Sequence, residues 1–440
     1  MLRAGIGSQI INPPPGVSLG GYFHERIWTE VHDDIMAKAL VLDDGAARAS
    51  IPIHRDKTTV AIAVCDLQAI MGKEVAKARE LASKATGIPP GNVFVSATHT
   101  HTGPQVRRNR SVPTSEEYLD KLPQMIADAI IQAHASLKPA TLRLGEEYED
   151  RLAFNRRFRM KDGRVVFNPR KRDPDILGPA GPIDPQINVL RVDDEVGRPI
   201  AILANYACHP DVMSSNEVSA DFPGESSRIV SSIYESKPLV MFMQGAAGNI
   251  NHRDINNPDP QKGPAEVTRI ARILAGKILA ASELSQPAEG TPLTVSSAIL
   301  DIAYHPLTDD LRAKAEATRK NPDAHIFDVS QADQIENYKK DGKMAAVEVQ
   351  AIRIGDTAVV GIPGEYFVEY GLSIKEFSPF DQTFVVELAN NAFGYIPTLD
   401  AFYPGTYETM PIVSATLEPS AGIQIANAAG KLLRHLRSTE

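Results

Sequence analysis

Two histidines separated by one residue form the first candidate site. An apolar run at residues 93–97 leads into Thr98-His-Thr-His-Thr-Gly-Pro104, so His99 and His101 follow a segment typical of a β-strand. Residues i and i+2 of a strand project to the same face, and we therefore expect the two imidazoles to lie together at the end of this strand. Such a pair suits a metal ion, or one metal ligand beside one acid–base group, and both alternatives stay open.

Two more apolar segments deliver a polar residue at their ends. His209 and Pro210 follow the run at residues 201–208, and Glu365 follows Ile362-Pro-Gly after the run at residues 357–361. A carboxylate at such an edge is usually solvated. With two histidines from other strand ends, however, Glu365 completes the His/His/Glu set typical of a zinc site. Asp221 in Ser219-Ala-Asp-Phe-Pro-Gly224 is either a carboxylate that orients a ligand histidine or a turn residue.

Two turn-rich segments could complete a site. The apolar run at residues 239–243 enters the small-residue turn Gly245-Ala-Ala-Gly-Asn249, whose backbone N–H groups could approach a ligand closely or simply close a tight turn. Tyr395 and Tyr407 lie among turn residues. A tyrosine there could bind a metal as phenolate, donate to an oxyanion, or only pack against its surroundings.

Charge is distributed unevenly along the 440 residues. The chain has 46 Lys and Arg against 55 Asp and Glu, a net charge of −9 that argues against a nucleic-acid coat or a polybasic membrane binder. Residues 151–172 nevertheless hold nine Arg or Lys against one acid, a local charge of +8, and Arg107, Arg108 and Arg110 form a second basic cluster. We predict that both clusters recognise an anionic substrate group. A subunit interface, or a face paired with acids elsewhere in the chain, is the competing interpretation, so a homo-oligomer stays open.

Alternating strand-like and helix-like patterns must position these residues, and they predict an α/β fold. The chain is treated as one domain, residues 1–440, in which the polar, helix-favouring segment at 308–343 is either a surface insertion or a lid over the site. The chain has only two cysteines, which excludes a disulfide framework. The N-terminus lacks the apolar core of a signal peptide, and no apolar run approaches the length of a membrane-spanning segment. We expect a cytoplasmic protein with a small-molecule substrate and no nucleic-acid or membrane partner. The expected strands are residues 39–42, 59–64, 93–95, 200–203, 239–243, 346–349, 357–361 and 383–387, and the expected helices are 72–85, 115–136, 264–281 and 421–436.

In this order, the segments resemble the catalytic domain of the neutral/alkaline, non-lysosomal ceramidases. The resemblance covers almost the whole chain and rests on the ordered set of short motifs, each of which is weakly specific alone. They are Ala4-Gly-Ile-Gly-Ser8, residues 13–16, Leu19-Gly-Gly-Tyr22, residues 34–45, Cys65-Asp-Leu67, THTHTGP (98–104), NYACHP (205–210), SADFPG (219–224), GAAGN (245–249), IPGE (362–365) and GYIPT (394–398).

The resemblance implies an α/β domain with a mixed sheet core flanked by helices and one catalytic zinc. By motif, the implied ligands are His99, His209, Glu365 and Tyr395. His101 matches a family histidine outside this set, beside the reacting carbonyl, and Arg156 and Tyr407 match an arginine and a second tyrosine of the active site. Arg157, Arg108, Gly248, Asn249 and Asn251 are the predicted substrate-binding residues.

Two departures from the family change the expected substrate. The family serine corresponds to Asn251 in Gly248-Asn-Ile-Asn-His-Arg253, so no serine role is transferred. The chain also ends at Glu440, without room for the C-terminal immunoglobulin-like domain of ceramidases. We therefore expect a zinc-dependent hydrolase that cleaves a C–N amide bond of a small, soluble, anionic substrate. The alternatives are an esterase or lactonase with the same site, a true ceramidase, and a non-catalytic metal- or ligand-binding protein.

Overall fold

A computed structural model describes residues 1–45, 58–108, 112–403 and 405–438. The strands of this part of the chain are Arg3–Ile10 (β1), Met36–Asp43 (β2), Thr59–Cys65 (β3), Val93–Ala97 (β4), Lys138–Pro139 (β5), Thr141–Tyr148 (β6), Phe154–Asn155 (β7), Arg157–Met160 (β8), Val165–Phe167 (β9), Ile176–Pro179 (β10), Gln186–Asp193 (β11), Pro199–Tyr206 (β12), Leu239–Gln244 (β13), Ile250–Asn251 (β14), Gln286–Ala288 (β15), Leu293–Ala303 (β16), Met344–Ile354 (β17), Thr357–Gly361 (β18), Glu365–Tyr366 (β19), Gln382–Val386 (β20) and Tyr395–Ile396 (β21).

The α-helices alternate with these strands. They are Gly72–Thr86 (α1), Glu116–Ala135 (α2), Asp221–Ile233 (α3), Pro264–Glu283 (α4), Asp309–Lys320 (α5), Ile326–Glu336 (α6), Val368–Glu376 (α7) and Ala421–Ser438 (α8), with short 3-10 turns at Pro90–Asn92, Leu399–Phe402 and Tyr407–Thr409. None of the described helices combines the length and the apolar character needed to cross a bilayer.

Three mixed sheets form the core. Their strand orders are β4-β3-β2-β1-β5, β13-β12-β11-β6-β15 and β16-β17-β18-β20. Helices α1 and α2 cover the outer face of the first sheet, α3 and α4 cover the second, and α8 packs on the third. The inner faces share one apolar cluster, to which Ile62, Leu203 and Val359 each contribute from a different sheet. The predicted α/β fold with a mixed sheet core flanked by helices is confirmed.

One parallel pair in each sheet positions the site. These pairs are β3 with β4, β12 with β13, and β18 with β20, and each is connected through a helix: α1, α3 or α7. Parallel neighbours end at the same edge of a sheet, and ligands of open α/β sheets bind in the crevice beyond the carboxyl ends of such strands. The segments that follow β4, β12 and β18 carry His99, His101, His209 and Glu365, the last as the first residue of β19.

The chain segment at residues 308–343 lies between β16 and β17. It forms α5 and α6, which enclose a small apolar cluster of Ala315, Ala332 and Ile335 together with Ile412 from outside the segment. Many of its other side chains are solvated, as its polar composition predicts. Sequence patterns missed α3, because its sequence DFPGESSRIVSSI contains proline, glycine and serines that disfavour a helix interior.

Candidate metal centre

The two histidines of the THTHTGP motif lie close together, but a turn rather than a β-strand brings their side chains to the same place. Strand β4 ends at Ala97, and His99 has a left-handed backbone with φ of 73°, so the expected alternation of strand side chains does not apply. The His99 N–H donates to Leu67 O at 2.8 Å, which ties this turn to the segment after β3. The turn brings the Nε2 atoms of His99 and His101 to 3.3 Å. Strained backbone of this kind is concentrated at functional sites.

His209 and Glu365 complete the cluster. The Nε2 atom of His209 lies 2.8 Å from that of His99. Glu365 Oε2 lies 3.6 Å from His99 Nε2 and 4.0 Å from His209 Nε2. The side chains of His99, His209 and Glu365 are buried, and they converge from the segments that follow β4, β12 and β18. The structure therefore brings together the residues that the sequence singled out at separate strand ends.

Hydrogen bonds fix which imidazole nitrogens carry protons. His99 Nδ1 lies 2.6 Å from Gln68 O, and His209 Nδ1 lies 3.3 Å from Ala247 O. A carbonyl oxygen can only accept, so each Nδ1 donates and each neutral ring keeps a lone pair on Nε2. Two lone pairs then face each other across 2.8 Å. A cation between them would satisfy both, and backbone carbonyls commonly orient metal-ligating histidines in this way.

The charge of the cluster also suits a cation. Burial lowers the pKa of His99 and of His209, and it lowers the pKa of His101 to about 3, so the imidazoles are neutral near pH 7. Burial alone would raise the pKa of Glu365, but His99 and Arg107 beside it hold the pKa of this carboxyl below its usual value. The cluster thus combines neutral nitrogens with one carboxylate, a donor set that zinc accepts.

The structure allows two ligand sets. The donor atoms of His99, His101 and His209 all lie within 4.8 Å of one another, so three histidines could hold an ion. Tyr395, the fourth ligand implied by the resemblance, pairs with Glu365 in the ladder between β19 and β21. Burial raises the pKa of the Tyr395 phenol well above its usual value, while Arg156 opposes that shift. A phenolate ligand would therefore need the ion itself to form, and the assignment of Tyr395 stays a prediction.

Arg156 and Tyr407 lie against Tyr395. The Arg156 guanidinium lies 5.3 Å from the Tyr395 ring centroid and donates to Glu408 Oε1 at 2.9 Å and to Gly248 O at 2.7 Å. Burial disfavours its charge, but Tyr395 and Glu408 raise the pKa of Arg156 overall. The ring centroids of Tyr407 and Tyr395 are 5.4 Å apart, and burial raises the pKa of Tyr407 to about 12. Tyr407 is therefore a neutral phenol that can donate a hydrogen bond.

Sequence patterns missed several residues around the cluster. Asp211 Oδ1 lies 3.8 Å from His101 Nδ1 and accepts a hydrogen bond from the Tyr22 hydroxyl. Asp211 follows His209 by two residues, and this spacing was the available signal. Glu387, after β20, is fully buried and accepts from the N–H groups of Ala247 and Tyr366, and burial raises its pKa well above the usual value. It therefore ties the Gly245-Ala-Ala-Gly-Asn249 turn to the segment that carries Glu365.

Asp221 does not orient a histidine ring. Its carboxylate accepts from the backbone N–H groups of Val212 and Met213, each at 2.9 Å, and from that of Phe222. It therefore fixes the backbone of the turn that follows His209, from its position as the first residue of α3.

A cavity of about 450 Å³ opens beside the cluster. His101, Glu365, Tyr395 and Tyr407 line it, so the predicted reactive groups share one space. This volume lies in the range of small-molecule sites. The other described lining residues are Gly21, Tyr22, Phe23, Gln68, Met71, Gln105, Arg107, Arg108, Gln334, Asn337, Tyr338, Lys339, Lys340, Ala392, Phe393, Gly394, Ile412, Val413, Ser414 and Thr416.

Three predicted substrate-binding residues have protein partners instead. Asn249 is buried; its amide donates to Glu369 and its oxygen accepts from Val368 N at 2.9 Å. A Cβ on Gly248 would lie 2.4 Å from Glu365 O, so only glycine permits this close approach to the loop that holds Glu365. Asn251 donates to Asn168. None is among the described residues that line the cavity, and their substrate-binding role stays a prediction.

The basic segment at residues 151–172 does not face the cavity. Arg157 is buried and donates to Thr406 Oγ1 and Ala401 O, so it supports the loop that carries Tyr407. No residue of the segment is among the described lining residues. Of the second basic cluster, Arg107 and Arg108 line the cavity, whereas Arg110 lies outside the described residues. The expectation that residues 151–172 select an anion at the cavity mouth therefore lacks geometric support.

Comparisons with known proteins agree with this architecture. No family model matches the chain. The neutral ceramidase of Pseudomonas aeruginosa is 27% identical over 276 residues, which span 60% of this chain and 38% of that protein. The crystal structure of neutral ceramidase from Pseudomonas aeruginosa superposes with a TM-score of 0.76 at 20% identity and covers 99% of this chain and 74% of that one.

A second solved structure, a ceramidase complexed with C2, gives a TM-score of 0.76 at 19% identity, covering 99% of this chain and 75% of that one. At these identities the structural likeness establishes the fold. The resemblance drawn from the motifs is confirmed, and the chain has a neutral ceramidase-like domain.

Proposed function

We propose that this protein is a metal-dependent hydrolase of amide bonds, with zinc as the metal and a small molecule as the substrate. The observation that carries the proposal is the pair of lone-pair-bearing nitrogens, His99 Nε2 and His209 Nε2, which face each other at 2.8 Å beside the Glu365 carboxylate. The ceramidase names of the relatives support amide cleavage as the reaction class. A bound divalent cation would polarise a carbonyl oxygen and lower the pKa of a water molecule.

The chain supplies groups for the proton transfers. His101 lines the cavity with its neutral ring and can accept a proton from the attacking water. It can return that proton to the amide nitrogen when the C–N bond breaks, which leaves a carboxylic acid and an amine. Tyr407 can donate a hydrogen bond to the oxygen that becomes negative in the tetrahedral intermediate.

Arg156 has a supporting role in this account. Its guanidinium is buried between Glu408 and Tyr395 and is not among the described residues that line the cavity. It can favour the ionised form of the Tyr395 hydroxyl, because a nearby positive charge stabilises a phenolate. This would help Tyr395 to act as a ligand.

Two rivals share the same site. Esters and lactones pass through a similar tetrahedral intermediate, so the geometry alone favours neither bond type. Ceramide hydrolysis is favoured by the names of the relatives, but the polar and cationic residues Gln334, Asn337, Lys339 and Lys340 on the cavity wall favour a more polar substrate. Retention of His99, His209 and Glu365 in one cluster argues against a merely non-catalytic scaffold.

A matched panel of substrates tests the proposal. Purified protein loaded with zinc would be incubated with N-acyl amides, the corresponding esters and ceramide in detergent micelles, each with and without a chelator. Release of amine from the amides that stops with chelator and returns with zinc supports the proposal. Hydrolysis restricted to esters or to ceramide selects the corresponding rival, and amide hydrolysis that chelator leaves unchanged contradicts the metal-dependent account.

A further inference from the structure

One wall of the cavity comes from the insertion at residues 308–343. Helix α6 and the turn after it contribute Gln334, Asn337, Tyr338, Lys339 and Lys340 to the lining. This wall is polar and cationic, whereas the wall near β21 contributes Ala392 and Phe393. The cavity therefore has two chemically different sides.

Contacts with the site loops hold the insertion in place. The ring centroid of Phe327 lies 5.3 Å from that of Tyr407 and 5.0 Å from that of Phe23. The Tyr338 hydroxyl donates to His305 O at 2.8 Å, and Gln331 donates to Pro411 O at 3.1 Å. Lys339 and Lys340, which follow Tyr338, therefore belong to a wall of the cavity that packs against Tyr407.

The two lysines of this wall have no acidic partner in the described part of the chain. Lys339 and Lys340 are exposed, and neither forms a salt bridge with a described residue. The Lys340 ammonium lies 4.4 Å from the Tyr304 ring centroid. Lys314 and Lys320 of the same insertion, by contrast, pair with Asp328 and Glu316.

Cations outnumber acids around the cavity. Arg107 and Arg108 line it together with Lys339 and Lys340, and Glu365 is the one carboxylate among the described lining residues. Arg107 already neutralises Glu365 at 3.0 Å, and Arg108 pairs with Glu116 and Glu74 behind the cavity. The positive charge that remains available to a ligand is therefore on the two lysines.

We propose that Lys339 and Lys340 bind an anionic group of the substrate, so that the protein selects amides carrying a carboxylate or a phosphate-type anion. That the substrate is an amide rests on the proposed function, and that it carries an anion rests on the residues that line the cavity. A lysine ammonium is a compact point charge on a flexible stem, so it suits either anion without a bidentate geometry. The sequence-based expectation assigned this selection to arginines of residues 151–172 and to the cluster after THTHTGP, whereas the cavity assigns it to two lysines of the insertion.

Matched substrates test the selectivity. Succinyl anilide and butyryl anilide differ by a carboxylate in place of a methyl group on the acyl side, and 4-acetamidobenzoate and acetanilide differ by a carboxylate on the amine side. An acyl anilide with a phosphonate at the succinyl carboxylate position separates the two kinds of anion. Wild-type kcat/KM is expected to be about tenfold higher for the anionic member of at least one pair, because a charge-assisted contact is lost in the neutral member.

Variants assign that preference to residues. K339Q/K340Q should abolish it, by lowering kcat/KM about tenfold more for the anionic amide than for the neutral one, and K339R/K340R should keep it. The control K77Q/K320Q removes the same two charges from surface pairs with Glu80 and Glu316 and should change nothing. Equal wild-type kcat/KM for anionic and neutral amides would overturn the inference, as would a preference that K339Q/K340Q retains.

A binding measurement separates this inference from the proposed function. Ketone analogues of succinyl anilide and butyryl anilide, with a methylene in place of the amide N–H, cannot be hydrolysed as amides. Calorimetry of the zinc-loaded protein should show about tenfold tighter binding of the anionic ketone, lost in K339Q/K340Q. If that result is obtained but no amide is cleaved, the inference stands and the proposed function fails. If both ketones bind equally while amides are cleaved, the inference fails and the proposed function stands.

Discussion

The histidine cluster and the basic segment at residues 151–172 were both conspicuous in the sequence, but folding brings the residues of the first together and separates those of the second. His99, His209 and Glu365 are far apart in the chain and converge within 4.0 Å. The basic residues are neighbours in sequence and disperse to separate partners. Arg156 pairs with Glu408, Arg159 donates to Ala180 O, Arg164 pairs with Asp162, and Lys171 and Arg172 donate to backbone carbonyls.

The difference follows from how each feature is positioned. Residues at the carboxyl ends of parallel strands are brought to one sheet edge by the backbone topology, whatever their side chains prefer. A run of like charges has no such constraint, and the side chains of this segment that form hydrogen bonds do so with separate partners. Position relative to strand ends was therefore a better guide to the candidate site than local charge density.

The largest effect should come from breaking the cluster. His99→Ala removes the nitrogen that faces both other imidazoles, and kcat/KM for a cleaved amide should fall by at least about 10⁴-fold because several kcal/mol of charge stabilisation are lost. The matched control is His134→Ala, a half-buried histidine on α2. Wild-type kinetics in His99→Ala would remove the cluster from the reaction.

His101 should separate metal binding from chemistry. His101→Ala is expected to retain the metal while kcat falls by about 10²–10⁴-fold, the usual contribution of an acid–base group. Metal content and kcat would be measured on the same preparation. Loss of the metal would instead make His101 a ligand, and the three-histidine set would replace the one with Tyr395.

Within the basic segment, burial should decide the effect on stability. Arg156→Met leaves the buried Glu408 carboxylate without its partner and should cost about 3–5 kcal/mol in the free energy of unfolding, measured with urea. Arg164→Met breaks an exposed pair with Asp162 and should change that free energy by less than the error of the measurement. Equal losses would mean that the two arginines have equivalent environments.

The smallest effect should be on substrate preference at Arg157. The Arg157 guanidinium donates to Thr406 and Ala401 and does not line the cavity. Arg157→Gln should therefore change kcat/KM for anionic and neutral amides by the same factor, to within about twofold. Kinetics on succinyl and butyryl anilides check this. A selective loss for the anionic amide would restore the sequence-based role of Arg157.

Sequence patterns predicted much of the fold but only part of the site. Strands such as β3, β4 and β13 were predicted because apolar β-branched runs end at turn residues, and α2 was predicted from its apolar spacing. The left-handed turn at His99 was not, because no local signal requires a positive φ at a histidine.

Residues that act through tertiary contacts were also missed. Lys339 and Lys340 lie in an insertion whose placement over the cavity depends on packing of Phe327 against Tyr407. The sequence around Glu387 gives no sign that burial raises its pKa, because this burial depends on residues remote in the chain, such as Ala247 and Tyr366. Such features follow from neighbours that are remote in the sequence.

The central claim is that His99, His209 and Glu365 hold a metal ion, and elemental analysis of wild-type and His209→Ala protein tests it most directly. After loading with zinc and removal of the excess, the wild type should contain about one zinc per chain, since one cluster supplies the donor atoms. His209→Ala, with its fold verified by circular dichroism, should lose most of that zinc. Full zinc retention in His209→Ala would contradict the account.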